Sequence, residues 1–468
     1  MRSGYVGPKI PRGMTKRLSV EFAPELSGPI GLYRFGRDPL GSLERAQGRH
    51  GDAVLFGQFA QKNVLFSDPD AVEAMLVGRH ADFGKDLFTK DLGQLLGTGL
   101  LTNEGDAWKA KRKLMAPSFQ PREIAGYGET MVTCAENTLS RFREGELFDA
   151  YAAMMRLALD VVARTLFGSE FERFDEVEEC LRISDHAYRD LWRTWRAFVR
   201  RFLPLAAFRD LREARNRLDV LVLDIIKKKR QNPGKDMLSR LIELTDDTGR
   251  GMTDTEVRDE AMTVFLAGHE TTALALTYTL HLLATNPVEY ERLLAEVDRE
   301  LGGRRPSVAD APKLAYTDAV VRESLRLYPP VWAMARLAAR DTELCGVPLP
   351  KGTQALASQW VLHHDARFFP SPERFRPERW LTGETSALPR FAYFPFGGGP
   401  RVCIGQHFSL LEVTLILARF AQSVRFEREP NAKLELAPVV TLRPKGPVRF
   451  LVRRREPPSE RATPYAAE

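Results

Sequence analysis

The segment Phe396-Gly-Gly-Gly-Pro-Arg-Val-Cys403-Ile-Gly405 constrains this chain more than any other. It sets one cysteine in a glycine-rich loop directly ahead of a long apolar run, Gln406 to Phe420, whose pattern predicts a buried helix. Cys403 then falls at or just before a helix N-terminus, where unpaired N–H groups and the helix dipole favour a thiolate over a thiol. The glycines let the backbone approach something large and flat, with N–H groups left to bond the sulfur. A single axial thiolate on a haem iron needs this arrangement. The competing reading of an isolated cysteine is a buried, inert thiol beside a loop.

Position for position, this segment resembles the haem-ligand loop of the cytochrome P450 superfamily. The resemblance implies a mainly α fold, a large helical domain with a minor β-rich region around a buried haem b (iron protoporphyrin IX). It makes Cys403 the iron ligand, packs Phe396 against the thiolate loop, sets Gly405 beside the cofactor and sends Arg401 to a haem propionate.

With 468 residues the chain exceeds the usual size of one core, yet no linker divides it. We expect one domain over residues 31–455, a flexible basic segment before it (1–30) and a polar tail after it (456–468). Residues 1–30 hold no long apolar run, so neither a transmembrane anchor nor a secretory core is expected. Four cysteines (Cys134, Cys180, Cys345, Cys403) are too few and too scattered for a disulfide framework or a zinc cluster, which suits a reducing cytoplasm. A net charge of +6 does not demand a nucleic-acid partner and is compatible with docking an acidic electron-transfer protein. No flavin or iron–sulfur domain follows, so electrons are expected from a separate ferredoxin or flavodoxin and its NAD(P)H-dependent reductase.

Residues 53–59 and 61–67 read as a β-hairpin, helical patterns dominate from 104 to 301, and loops and strands span about 329 to 390. Thr253-Asp-Thr-Glu256 is a capping box opening a long helix that runs to Asn286-Pro287. In its middle, Ala267-Gly268-His269-Glu270-Thr271-Thr272 is a poor helix interior between apolar flanks, a local failure of propensity that marks a functional site. The segment resembles the family's oxygen-activation motif. By that resemblance Glu270 and Thr271 pass protons towards activated O2, and Ala267 and Gly268 leave room above the haem; helical spacing turns His269 away from Thr271, so it reads as structural.

Glu323-Ser-Leu-Arg326 puts an acid and a base on one helix face. Alone it means little, but the later Phe375-Arg-Pro-Glu-Arg379-Trp380 resembles the family segment whose arginine completes a buried Glu-Arg-Arg network; Arg374 is the competing candidate, and spacing to Cys403 favours Arg379. Trp108 and Arg112 share another helix face, and with Arg336 they match positions that meet the haem propionates. Lys111 reads as a solubility residue, while Lys109 and Lys113 are candidates for docking the redox partner. His363-His364 lacks a third ligand at sensible spacing and reads as structural.

By the same resemblance Leu101 matches the position that overhangs the haem, and with Leu266 and Ala267 it implies an apolar, fairly open substrate space. The region 188–218 reads as an amphipathic lid, with Trp192, Trp195, Phe198 and Phe202 among Arg189, Arg193, Arg196, Arg200 and Arg201. One of those arginines could hold a substrate carboxylate. The expected activity is a monooxygenase inserting one atom of O2 into a hydrophobic substrate, fatty acid, terpenoid or polyketide-like. A peroxide-dependent or rearranging haem-thiolate enzyme, or a non-catalytic haem sensor, are the alternatives.

Overall fold

The computed structural model describes residues 17–58, 61–168, 206–246 and 249–456, with isolated positions between 173 and 183. The aromatic and basic part of the expected lid, 188–205, lies outside the described residues.

Six strands form the larger sheet: β1 (Val20–Phe22), β2 (Ala53–Gln58), β3 (Gln61–Phe66), β4 (Phe83–Lys85), β5 (Met334–Ala338) and β6 (Gln354–Ala357). Their order is β1-β2-β3-β6-β5-β4. The hairpin expected near the N-terminus is β2–β3, in register from Ala53↔Phe66 to Gln58↔Gln61. At the far edge β4 runs antiparallel to β5 and sets Lys85 opposite Arg336. A smaller sheet joins Leu147–Asp149, Arg449–Arg454 and Val424–Arg428.

Five helices carry the site: α1 (Gly105–Met115), α2 (Ala150–Phe167), α3 (Asp254–Thr285), α4 (Ala315–Leu327) and α5 (Gln406–Ser423). The capping box at the head of α3 is formed in both directions, with Thr253 Oγ1 accepting from the Glu256 N–H and Glu256 accepting from the Thr253 N–H. Asn286-Pro287 ends it, because Pro287 opens the next helix and cannot continue the ladder. Every residue of α3 from 272 to 283 is buried, so this helix is packed on all sides rather than along one stripe. Gly268 lets α2 come close: a Cβ there would sit 3.2 Å from Val162 Cγ2. The glycine therefore serves helix packing, not the open room above a cofactor expected from sequence.

The hairpin Leu436–Pro438 with Leu442–Pro444 brings Thr441 and Arg443 onto α3. No helix among the described residues is long and apolar enough to cross a membrane.

Candidate functional site

The Cys403 loop is threaded through a tight passage. Gly399 has φ +67, and a Cβ there would fall 2.0 Å from the Leu76 carbonyl oxygen. A Cβ on Gly398 would meet the Phe391 ring at 2.3 Å. These two glycines are required by the protein itself rather than by a flat ligand. Gly405 differs: a Cβ there would touch only Cys403 Sγ, at 4.0 Å, and would project into the space beside the sulfur. The Cys403 N–H donates to the Phe396 carbonyl at 3.0 Å, which locks the loop, and Gly405 caps α5.

The Cys403 side chain is uncovered, yet burial is the largest influence on its acidity and pushes the thiol up. The sulfur therefore faces an interior space, not the outer surface. A hydrogen bond from the Gly405 N–H and the charge of Arg112 pull the other way without winning. This departs from the expectation that the helix N-terminus alone favours a thiolate. Burial outweighs it, and a metal ion is what would deprotonate this thiol.

Helix α3 carries one bare position in its buried length. Ala267 is the single exposed residue of that helix between 257 and 285, with the half-buried Val264 and Thr271 one turn either side. Thr271 Oγ1 donates to the Ala267 carbonyl at 2.6 Å. Leu266 is half-buried, and Leu101 is 36% exposed. Helices α3 and α5 touch through Thr272 Oγ1 and Ser409 Oγ at 3.3 Å, beside Thr271 on one helix and early in the cysteine helix on the other.

At one end, cations gather without matching acids. Arg401 stacks over Trp108 with 4.2 Å to the ring centroid and donates to the Asn103 carbonyl at 3.1 Å. Burial, then Arg336, brings Arg401 down to about 10. Burial also lowers Arg336, whose Nη1 donates to the Ala335 carbonyl at 2.8 Å, and Arg112, which feels the Cys403 sulfur. Sequence reasoning missed Lys85. Burial, then Arg336 and Arg401, pushes it down to about 7. None of these four has a carboxylate within salt-bridge distance among the described residues, although Asp86 and Glu104 act on Lys85 from farther away. Gathering buried positive charge is costly unless anions meet it. Only the β4–β5 register reveals Lys85, and nothing local in the sequence signals it.

Glu270 and Thr271 are neighbours in sequence but not partners. The Glu270 carboxylate accepts from Thr441 Oγ1 at 2.6 Å and pairs with Arg443. Neither Thr441 nor Arg443 was foreseen, and their distance along the chain left no signal. His269 is buried, its Nε2 meets the Met155 carbonyl at 3.1 Å, and burial lowers it to about 4. Lys111, expected to be a mere solubility residue, pairs with the buried Glu260 at 3.2 Å and donates to the Thr98 carbonyl at 2.6 Å. Its place three residues after Trp108 turns it inwards with that helix face.

Behind the loop, Glu323 accepts from Arg326 Nη2 at 2.8 Å, Arg379 Nε at 3.0 Å and Trp380 Nε1 at 2.9 Å. Glu323, Arg326 and Arg379 are all fully buried. Arg374 is exposed and contributes its carbonyl to Arg326 at 3.2 Å. His363 Nε2 accepts from the Phe394 N–H at 3.0 Å, and His364 Nδ1 meets the Trp360 carbonyl at 2.8 Å. Both histidines thus act in packing.

An interior sulfur, a bare position on a buried helix and a cradle of one buried and three half-buried cations suit a flat metal cofactor with an apolar body and acidic arms. The family model for cytochrome P450 matches residues 25–451. The chain belongs to the cytochrome P450 family. It is 38% identical to cyclooctatin synthase of Streptomyces melanosporofaciens over 86% of its own length and 88% of that protein. Cyclooctat-9-en-7-ol 5-monooxygenase of the same organism is 35% identical over 88% and 89%. Pentalenene oxygenase of Streptomyces avermitilis is 32% identical over 84% and 88%. This cytochrome P450 is accordingly a haem-thiolate monooxygenase that uses haem b, O2 and a redox partner and acts on a hydrophobic substrate.

Proposed function

We propose that this P450 oxygenates a cyclic terpenoid hydrocarbon or alcohol, with electrons from a ferredoxin or flavodoxin reduced by an NAD(P)H-dependent reductase. The names of the three relatives support the substrate class, and the apolar surfaces of Leu101, Leu266 and Ala267 suit a polycyclic hydrocarbon. A reducing cytoplasm, which keeps thiols reduced, is the setting that goes with this reading.

Haem supplies the redox-active iron at which O2 is activated. Cys403 would ligate it, with the Gly405 N–H bonded to the sulfur and Phe396 holding the loop. Arg112, Arg336, Arg401 and Lys85 would meet the propionates, and Trp108 would orient Arg401. Charge-assisted pairing of arginine with carboxylate fixes orientation as well as affinity. Thr271 would offer its hydroxyl one turn from the bare Ala267. Glu270 would supply protons from the protein side, after its carboxylate leaves Thr441 and Arg443. Glu323, Arg326 and Arg379 support the loop without touching substrate.

The observation that carries this reading is the interior, uncovered Cys403 with Arg112 acting on it, together with a cluster of Lys85, Arg336 and Arg401 that has no carboxylate within salt-bridge distance among the described residues. Its test is the carbon monoxide difference spectrum of the dithionite-reduced holoenzyme, followed by a spin-shift titration with a cyclic diterpene alcohol and a saturated fatty acid. We expect a red-shifted Soret band that Cys403→Ala abolishes, and a shift with the terpenoid. A band typical of histidine-ligated haem would remove the assignment of Cys403. A shift with the fatty acid alone would remove the terpenoid.

A further inference from the structure

We propose that Asp259, Glu260 and Lys111 act together as positioning residues that clamp loop 97–103 to α3 and thereby fix Leu101 as a rigid wall of the substrate space. The inference rests on the reading of Leu101 as pocket-lining given above, and it assigns a role to three charged residues that the reaction itself does not use.

Three consecutive charged residues of α3, Arg258, Asp259 and Glu260, are buried at 3%, 4% and 0% exposure. An ordinary amphipathic helix turns at most part of such a run inwards. Asp259 Oδ2 accepts from the Thr98 N–H at 2.7 Å and from Thr98 Oγ1 at 3.1 Å. Glu260 Oε2 accepts from the Leu100 N–H at 2.9 Å, and its Oε1 lies 3.2 Å from Lys111 Nζ. Lys111 closes the ring by donating to the Thr98 carbonyl at 2.6 Å. Arg258 stiffens it from below, with Nη1 on Asp259 at 2.9 Å and Nη2 on the Leu95 carbonyl at 3.1 Å.

Gly97 and Gly99 belong to this clamp. A Cβ on Gly97 would fall 2.2 Å from Asp259 Oδ1, and one on Gly99 would fall 2.1 Å from Thr263 Oγ1. The loop backbone is pressed onto the helix at both points, so no larger residue fits without moving it. Thr102 Oγ1 then ties the loop to itself through the Gly97 carbonyl at 2.7 Å.

Apolar contacts could hold a loop with less desolvation. They would not fix its register, because they are non-directional. Carboxylates bonded to two named N–H groups do fix it, at the known cost of burying charge. The residue immediately after the clamped Leu100 is Leu101, and Asn103 beyond it receives Arg401. The clamp thus sets the distance between a substrate-facing leucine and the cofactor cradle. Such a wall suits a rigid polycyclic substrate, whose discrimination depends on shape.

The test uses the holoenzyme and two iron-binding probes, imidazole and 4-phenylimidazole, read through the Soret shift. It is paired with amide hydrogen exchange at Thr98 and Leu100. Glu260→Gln and Lys111→Met should speed exchange at both amides. They should also move the ratio of the two dissociation constants about tenfold, the worth of a methylene-sized change in an apolar pocket, in the same direction as Leu101→Ala. Asp259→Asn, which keeps an acceptor for the Thr98 N–H and leaves the Glu260–Lys111 pair intact, should move it less. Faster exchange with an unchanged ratio would reduce the cluster to a stabilising one and overturn the proposal, as would unchanged exchange. Should Glu260→Gln fail to fold, Thr98→Val removes only the hydroxyl contact and carries the same reading. Leu101→Ala separates the two failures. If it alone moves the ratio, the clamp is wrong and the pocket reading stands; if it does not, Leu101 is no wall and both fall.

Discussion

At the scale of single residues, the cofactor end of the site is governed by positive charge held out of water. Lys85 is the most sensitive of these groups, because an ammonium loses its proton under burial more readily than a guanidinium. Among the protein's own groups, burial together with Arg336 and Arg401 lowers it to about 7, with Asp86 and Glu104 opposing. An anion arriving at the cradle would restore its proton, so haem binding takes up a proton above about pH 7 and none below it. The sign follows: affinity for haem should be flat below that pH and fall above it, by at most about tenfold per unit for one proton. Transfer of haem to apomyoglobin, followed from pH 6 to 9 (roughly one unit below to two above the titration), measures this. Lys85→Met should weaken retention at the acid end and flatten the profile. A wild-type profile without slope would remove Lys85 from the cradle.

At the scale of elements, α4 and the segment Pro377–Trp380 are joined through one carboxylate. Glu323 satisfies two buried guanidinium groups and an indole, so its substitutions should rank by what they leave unpaired. Trp380→Phe removes one donor from an acceptor that keeps others, and should cost about 1–3 kcal/mol. Glu323→Gln leaves the buried Arg326 without a counter-charge and Arg379 with only the half-buried Glu384, and should cost about 3–5 kcal/mol. Thermal melts of the holoenzyme would check the order, and equal effects would mean that the network is not centred on Glu323. Much of this level was legible in sequence. The capping box at Thr253, the stop at Pro287 and the apolar run after Gly405 each report on their own element. Arg379 rather than Arg374 was accessible through spacing to Cys403. The contacts of Lys85, Lys111 and Glu270 were not. Each depends on a segment far away, Arg336, Glu260 or Arg443, and periodicity tells which face of an element is buried without telling what covers it. Even Gly398 and Gly399 of the Cys403 loop were read correctly as close approach but assigned the wrong neighbour, since Leu76 and Phe391 arrive only through the fold.

At the scale of the whole molecule, the site must still receive electrons from outside, and α1 shows how one helix divides that work. Trp108, Lys111 and Arg112 turn inwards, to Arg401, to Glu260 and towards Cys403. Lys109 and Lys113, one turn apart, are exposed on the other face. Lys109 pairs with Asp106 at 2.8 Å, but both are well exposed, and such a pair is worth little against solvent. A protein carrying +6 overall, with these cations on the helix whose inner face reaches the cysteine, has the charge distribution to steer an acidic donor to the short route inwards. Steering of that kind acts on the association rate and weakens with salt, because exposed charges are screened beyond about 10 Å at 0.1 M. Lys109→Glu with Lys113→Glu should therefore lower the second-order rate of reduction by an acidic ferredoxin about tenfold at low salt and remove most of its salt dependence. The same double variant should leave the carbon monoxide difference spectrum unchanged, since neither side chain enters the cradle. Stopped-flow reduction across a salt series reads both effects at once. An unchanged rate with an unchanged salt slope would move the docking surface elsewhere on the molecule while leaving the haem site as described.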